Sequence, residues 1–375
     1  MTGVDDRSRA PDRTSAAPTG VSRRSGVVLA LFFGLVLLAA VASLVHLPYA
    51  IFRPGPAYNT LGSVQGGRPV IQVSGTTYPT KGALDFTTVS IYGGPGFPVN
   101  VWDLLRARIE PSAHVYPERE IFPAGQTGKQ VERENTAEMA DSQQEAVAAA
   151  LRATGRPVPE VISVAQVADK APAAGVLKVG DTIAGVNGAT VSDSAALRAA
   201  IQRHRGTGPL PLTIMRGGAT LQVRSPTAVV SGRRVLGVSL RLSFRFPLKV
   251  QINAGDVGGP SAGLMFSLGI YDKITPGALT GGARIGGTGT IDSHGDVGAI
   301  GGIQQKLYGA RDAGASWFLA PADNCKDVVG HVPDGLHVVR VATFDQARAA
   351  VQSIAAGRTA GLPQCTGASA PTAAP

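Results

Sequence analysis

Two residues in the C-terminal part of the chain have the chemistry and the surroundings of a catalytic pair. Ser261 stands in GDVGGPSAGLMFSL (255–268), where glycines and a proline precede an apolar run. Pro260 suits the first turn of a helix, so Ser261 is expected beside free backbone N–H groups and the positive end of the helix dipole. Such groups stabilise the oxyanion that forms when a hydroxyl attacks a carbonyl. The sequence therefore predicts a nucleophilic Ser261 with the N–H groups of Gly259 and Ala262 as oxyanion hole; a helix-capping serine is the alternative.

A serine nucleophile needs a base, and Lys306 occupies an unusual position for a cation. It lies in GAIGGIQQKLYGARDAGA (298–315), where Ile303 and Ala310 fall on its face of a predicted helix. Burial and the positive helix end both favour the neutral amine. A lysine base needs a pKa of about 7–8 instead of about 10.4. We expect Lys306 to accept the proton of Ser261; a lysine that reaches solvent along its alkyl stem is the alternative.

Composition excludes several classes of function. The 375 residues are 44% hydrophobic and 16% charged, which is typical of ordered domains. The formal net charge is +9, but no basic run is interleaved with aromatic residues, so no nucleic-acid partner is expected. No Cys/His cluster has the spacing of a metal site, and we expect no metal and no cofactor. The two cysteines, Cys325 and Cys365, could form a disulfide bond in an oxidising compartment.

An apolar segment near the N-terminus predicts export of the rest of the chain. Residues 26–45 (GVVLALFFGLVLLAAVASLV) carry no charge and are long enough to span a bilayer as a helix. Arg23 and Arg24 precede them, which favours a cytoplasmic N-terminus. A cleaved signal peptide is the alternative, because AVAS (40–43) offers a small-residue cleavage site. Both interpretations place the catalytic region outside the cytoplasm, and the first places it at the cell membrane.

The middle of the chain alternates strands, turns and helices. Strands are expected over 70–75 and 83–92, and helices over 100–109 and 135–154.

The block from Val161 to Arg224 predicts strand, loop, a short helix opened by Pro172, strand, turn, helix and hairpin. This order, with AGVLKVGDTIAGVNG (174–188), resembles a bacterial PDZ domain. The resemblance implies an extended peptide ligand added as a strand to an open sheet edge. No Gly-Leu-Gly-Phe-type carboxylate loop precedes Val161, so the fold is better supported than the C-terminus-binding mode.

Three motifs in the last region resemble the serine–lysine peptidase domain of Lon proteases. They are GGPSAG around Ser261, GTGTIDSHGDVGAIGG (287–302), and IGGIQQK ending at Lys306, 45 residues after the serine. The resemblance implies that Ser261 is the nucleophile, that Lys306 is the general base and that Thr288 orients the pair. Lon proteases carry an ATPase, but this sequence has no G-x-x-x-x-G-K-[ST] phosphate loop, so no use of ATP is expected. The whole arrangement resembles the membrane-anchored PDZ-containing Lon-like proteases.

The predicted fold class is an α+β multidomain chain with a single N-terminal transmembrane helix, a β-rich juxtamembrane region, a PDZ-like domain and a Lon-type α/β peptidase domain. The expected parts are a disordered cytoplasmic tail (1–25), the transmembrane helix (26–45), the β-rich region with helices (46–155), the PDZ-like domain (156–230), the proteolytic domain (235–354) and a flexible tail (355–375).

The predicted function is that of an ATP-independent, membrane-anchored serine endopeptidase acting on unfolded or exported proteins. Its PDZ-like domain would bind substrate or a partner, and the family resemblance leaves a homo-oligomer open. One alternative is an α/β-hydrolase, because Gly259-x-Ser261-x-Gly263 also fits a nucleophile elbow, with His331 or His337 available as base. The other is a catalytically silent PDZ scaffold at the membrane. Replacing Lys306 separates the first alternative from the main prediction.

Overall fold

The computed structural model describes residues 23–63, 67–206 and 208–366. Most of the tail expected at 1–25, and the end of the tail expected at 355–375, lie outside these ranges. The helices are α1 (Arg23–Leu44), α2 (Val101–Ile109), α3 (Glu118–Ile121), α4 (Gly128–Ala153), α5 (Ser194–Arg203), α6 (Gly263–Ile274), α7 (Ile303–Asp312), α8 (Cys325–Val328) and α9 (Phe344–Ala355). The strands are β1 (Tyr49–Asn59), β2 (Ile71–Val73), β3 (Ala83–Tyr92), β4 (His114–Pro117), β5 (Glu160–Val167), β6 (Thr182–Val186), β7 (Ala189–Thr190), β8 (Leu210–Arg216), β9 (Ala219–Ser225), β10 (Ala228–Val230), β11 (Arg233–Val235), β12 (Val238–Phe244), β13 (Val250–Ile252), β14 (Arg284–Gly287), β15 (Thr290–Ile291), β16 (Val297–Gly298), β17 (Trp317–Pro321) and β18 (His337–Val341).

A six-stranded mixed sheet joins strands from both ends of the chain, in the order β18-β17-β14-β3-β1-β4. The strands from β18 to β3 are parallel, and β1 pairs antiparallel with both β3 and β4. Side chains alternate across each strand. Leu319 therefore packs in the core formed with α4, α6 and α9, whereas Phe318 and Ala320 pack with α7 and α8. The helices α6 and α7 thus cover opposite faces of one sheet.

Two adjacent glycines on β14 let both helices approach this sheet closely. A Cβ atom added at Gly286 would lie 2.8 Å from the Cβ of Ala310 on α7. A Cβ added at Gly287 would lie 2.5 Å from the Sδ of Met265 on α6. The glycine pair brings the start of α6 and the first turns of α7 together beyond the end of one strand.

The β-rich region expected at 46–155 does not form a sheet of its own. Its strands β1, β3 and β4 belong to the six-stranded sheet, and β2 pairs with β13. The apolar face of α4 is buried in the same core as α6. The unit around the six-stranded sheet is therefore built from both sides of the PDZ-like block, because β1, β3 and β4 precede that block and β14, β17 and β18 follow it.

The PDZ-like block is a second sheet, in the order β12-β5-β6-β8-β9, with β7 on β6 and its own apolar core. Its edge strand β12 lies beyond the expected end at 230 and within the range expected for the proteolytic domain. Val238, Leu240 and Leu242 alternate along β12 and pack against the PDZ-like core. These partly buried side chains, with the pairing of β12 to β5, group β12 with the PDZ-like sheet.

The short helix expected at Pro172 is absent from the structure, which has successive turns there. Ala174 N–H donates to Ala171, and Val176 N–H donates to Ala173. Gly175 has a φ of 80°, which interrupts a right-handed helix.

A buried carboxylate joins the two units. The side chain of Glu160 at the start of β5 is 1% exposed and pairs with Arg152 of α4 at 3.2 Å. It also accepts from the Ser194 N–H at the start of α5 and from the hydroxyl of Ser293. Glu160 therefore contacts α5 of the PDZ-like sheet, the long helix α4 and the β15–β16 turn.

The two cysteines form a disulfide bond between Cys325 and Cys365, with Cα atoms 4.9 Å apart. The Arg340 N–H also donates to the carbonyl of Pro363. The first part of the tail expected to be flexible is thus held against α8 and β18.

The N-terminal helix α1 is apolar and exposed along its length, with a mean hydropathy of 2.8 in its most apolar window. Its composition and length are those of a membrane anchor or a signal sequence. Arg23–Leu44 largely coincides with the expected segment 26–45.

We predict that Gly286→Ala destabilises the protein by about 1–3 kcal/mol, because the new methyl group overlaps Ala310 and displaces α7. Chemical denaturation measures this change. The second substitution Ala310→Gly should recover much of the loss, whereas Gly301→Ala, whose added Cβ meets no atom within 4 Å, is the matched control. Independent, additive effects of the two substitutions would contradict the proposed contact.

Candidate active site

The serine loop is held by the long helix α4. The Gly259 N–H donates to the Asn135 carbonyl at 3.0 Å, and the Ser142 hydroxyl donates to the Pro260 carbonyl at 2.8 Å. Gly259 has a φ of 82°, a conformation that favours glycine. Helix α6 begins at Gly263, later than expected, with Ala262 as its N-cap and no side-chain capping bond. The hydroxyl of Ser261 is therefore not used as a cap.

Lys306 lies in the first turns of α7 and is 3% exposed. Its Nζ lies 2.7 Å from the Ser261 Oγ, and it forms no ion pair within the part of the chain that the structure describes. Burial lowers the pKa of the Lys306 amine from its ordinary 10.5 to about 7. The neutral amine, which can accept a proton, is thus well populated near neutral pH.

Thr288, the residue after β14, contacts both members of the pair. Its Oγ1 lies 3.0 Å from the Lys306 Nζ and donates to the Ser261 carbonyl at 2.9 Å. The Gly289 N–H donates to the same carbonyl at 2.9 Å. Fully buried, the threonine side chain fixes the separation between the end of β14 and the serine loop.

The expected oxyanion-hole residues differ in what their N–H groups do. The Gly259 N–H is already bonded to Asn135, so the expectation for Gly259 is wrong in this conformation. The N–H groups of Ala262 and of Ser261 itself donate to no acceptor among the described residues. Ala262 is 3% exposed, and buried N–H groups are rarely left without an acceptor. These two amides are free to bind an oxyanion.

A cleft leads to the pair. Around Ser261 and Lys306 its lining includes Tyr58, Ile91 and Glu138, and it continues past residues 254–258. The continuation is lined by loop and helix residues that include Phe97, Phe122 and Met139. The two parts share lining residues, among them Ile91, Asn135 and the 254–258 loop.

The histidines of the alternative hydrolase interpretation lie in other contacts. His331 Nδ1 lies 3.1 Å from the Val329 carbonyl oxygen, and the ring of His337 is 4.8 Å from that of Trp317, centroid to centroid. In the part of the chain that the structure describes, neither histidine forms a hydrogen bond with Ser261. No group of three or more His, Cys, Asp and Glu residues in those ranges could hold a metal ion.

The sequence interpretation missed the supporting roles of three residues around the site. Asn135 and Ser142 were treated only as part of a helix, although their polar groups hold the serine loop. Gly302, which precedes α7, has a φ of 67°. A Cβ atom added at Gly302 would lie 2.8 Å from the Cγ2 of Val89. The Gly301–Gly302 pair in the sequence was a signal for the role of Gly302. Ser142 had no local signal, because its contact is with a residue 118 positions away.

Comparison with known families matches two segments of the chain. Residues 130–226 match the PDZ domain family, and residues 225–352 match the Lon protease (S16) C-terminal proteolytic domain. The first match includes most of α4, which packs in the same core as α6, and ends before β12.

Relatives of known identity agree with the second match. The chain is 30% identical over 116 residues to Lon protease 1 of Bacillus subtilis, covering 30% of this chain and 15% of that protein. It is 33% identical over 128 residues to the Lon protease of Dictyoglomus thermophilum, covering 33% and 16%. The PDZ domain of the SdrC-like protein from Listeria monocytogenes is 25% identical with a TM-score of 0.20, covering 21% of this chain and 85% of that one.

These matches support a peptidase, and the Lon-type domain suggests a serine protease. The resemblance predicted from the sequence is confirmed: the chain carries a PDZ domain and a Lon-type proteolytic domain, as PDZ-containing Lon-like proteases do.

We predict that Lys306→Met stabilises the protein on the order of 4 kcal/mol at pH 7 while removing the amine. The folded chain releases this proton at about pH 7 and the unfolded chain at about 10.5. The penalty for burying the lysine is therefore fully present below pH 7 and fades as the pH rises to 10.5. Urea denaturation at pH 6 and pH 9 should give a larger gain at pH 6; an equal gain would contradict the lowered pKa.

We predict that Thr288→Val lowers kcat roughly 10–100-fold with little change in KM, because the amine and the serine carbonyl each lose a hydrogen bond. Thr288→Ser keeps the hydroxyl and should retain most of the activity. Peptide-cleavage kinetics measure both. Equal loss in the two variants would indicate a packing role for the threonine methyl group instead.

Proposed function

We propose that this protein is a serine endopeptidase whose nucleophile is Ser261 and whose general base is Lys306. The observation that carries the proposal is the 2.7 Å separation between Nζ and Oγ at a buried lysine that has no acidic partner among the described residues. Burying an unpaired lysine lowers the free energy of unfolding. A role in accepting the serine proton explains why a lysine occupies this position.

The proposed reaction has two stages, acylation of Ser261 and hydrolysis of the acyl enzyme. Oγ attacks the scissile carbonyl while its proton passes to the neutral Nζ, and the oxyanion is held by the N–H groups of Ser261 and Ala262. The Lys306 ammonium then protonates the leaving amine as the C–N bond breaks, which leaves an acyl ester on Ser261. Water attacks the ester, Nζ takes its proton, and the carboxylic acid product departs as Oγ is protonated again.

The PDZ domain supplies a place for an extended substrate or partner segment. Its edge strand β12 has no neighbour on its outer side in the described part of the chain and continues towards β13 and the serine loop. Exposed backbone groups on such an edge add a peptide as a further strand. A segment bound there would lie along the strand that leads, through β13, to the loop that carries Ser261.

The proposal includes anchoring by α1 and independence from ATP. The helix has the length and apolarity of a membrane span, and the sequence has no phosphate-binding loop of the Walker type. Without an unfolding motor, the cleft would accept chains that are already unfolded, such as exported or misfolded proteins near the membrane.

The test is cleavage of unfolded casein, without ATP, by the full chain in lipid nanodiscs. Ser261→Ala and Lys306→Met should each lower cleavage by at least about 10³-fold. Lys306→Arg should be equally inactive, because a guanidinium stays protonated. Lys326→Met makes the same chemical change at an exposed lysine and should be as active as the wild type.

The outcomes separate the alternatives. Activity that survives Lys306→Met but not Ser261→Ala would favour a hydrolase with another base. No cleavage by any form of the folded protein would favour the silent PDZ scaffold.

A further inference from the structure

The helix α2 presents an apolar face to the outside of the molecule. Trp102, Leu105 and Ile109 are 47%, 54% and 83% exposed, and their spacing places them on one side of the helix. The other side of α2 is anchored, because Ala107 and Leu104 pack in a small core beside β1. Leu105 and Ile109 therefore project outward on a well-supported helix.

Basic side chains flank this face. Arg106 and Arg108 are exposed and form no ion pair within the described ranges. The neighbouring acidic groups are used elsewhere: Asp103 accepts from the N-cap Asn100 N–H at 3.1 Å, and Glu110 pairs with Arg53 at 3.2 Å. The outer surface of α2 is thus apolar and positively charged.

The contact between α2 and α1 indicates where the outer surface of α2 lies relative to a membrane. The Trp102 indole N–H donates to the Ser43 hydroxyl at 2.9 Å, one residue before the end of α1. If α1 spans a bilayer, that end lies at the membrane–water interface, where tryptophan is enriched. The apolar face of α2 begins at that depth.

We propose that the outer face of α2 lies in the interface of the same bilayer, with Leu105 and Ile109 among the upper acyl chains and Arg106 and Arg108 on anionic headgroups. This inference rests on the proposed anchoring by α1. An amphipathic helix with apolar residues on one side and basic residues beside them binds anionic lipid surfaces in this way.

The proposed contact also brings the substrate cleft to the membrane. Phe97, just before α2, is 70% exposed and lines the outer part of the cleft. With α2 on the bilayer, the cleft opens near the lipid surface, and the substrates it meets first are chain segments leaving the membrane. This deepens the proposed function by naming a substrate class.

The chain has two tryptophans, which makes the test direct. Full-length Trp317→Phe, with Trp102 as sole fluorophore, is placed in anionic vesicles with or without lipids brominated high on the acyl chain. A second probe, Ile109→Trp in a chain with Trp102→Phe and Trp317→Phe, reports the far end of the face. Bromine should quench both probes at least about twofold, since an interfacial helix lies about 5–10 Å into the boundary. The control Trp102→Phe, which keeps Trp317, should not be quenched.

The outcomes distinguish this inference from the anchor. Failure of the chain to float with vesicles would remove the anchor and the inference together. Flotation with quenching at Trp102 but free access of aqueous acrylamide to the probe at 109 would overturn the inference and leave the anchor intact. Adding Arg106→Glu and Arg108→Glu to the second probe should reduce its quenching in anionic vesicles; no change would refute the contact with headgroups.

Discussion

The close approach of α6 and α7 to β14 is the constraint on which the site depends. The two helices cover opposite faces of the sheet, so their side chains meet only beyond the end of a strand. The absence of a side chain lets α7 pack against Gly286 and α6 against Gly287. The next residue, Thr288, contacts both Ser261 and Lys306. A second close contact supports the same helix, because a Cβ at Gly309 of α7 would lie 2.8 Å from the Gly55 carbonyl oxygen of β1. The reactive distance is thus set by backbone packing.

Burial of Lys306 links this packing to chemistry. The sheet, α7 and the serine loop exclude water from the amine, and no carboxylate among the described residues compensates its charge. Folding is therefore more costly with a protonated lysine, and burial lowers the pKa of Lys306 to about 7, so that the proton-accepting amine is well populated near neutral pH. The hydroxyls of Ser261 and Thr288 form hydrogen bonds with the Lys306 amine. Being neutral, they stabilise its protonated form less than a carboxylate would.

Local patterns predicted much of the fold and most of the site. The strand over 83–92 and the helices around 100–109 and 303–312 follow from residue type and spacing. Ser261 and Lys306 were proposed from their surroundings in the sequence, whereas Thr288 came from the resemblance to Lon proteases. Long-range pairing was not predictable: no local pattern shows that β1 and β3 join β14, or that β12 joins β5. The early start of α4 did have a signal, because Thr127 and Gln130 form a capping box. The Gly259 amide was misassigned because its acceptor, Asn135, is distant in sequence.

The most direct test of the account is the pH dependence of Ser261 phosphonylation, in which Oγ attacks phosphorus as it would attack a scissile carbonyl. The full chain in nanodiscs is treated with a peptidyl phosphonate, and the rate of adduct formation at Ser261 is followed by peptide mass mapping between pH 5 and pH 10. The account predicts a single adduct on Ser261 whose rate rises through a pKa of about 7 and then levels off, as Lys306 loses its proton. An adduct on another serine, or a rate that keeps rising to pH 10 as an ordinary lysine titrates, would contradict it.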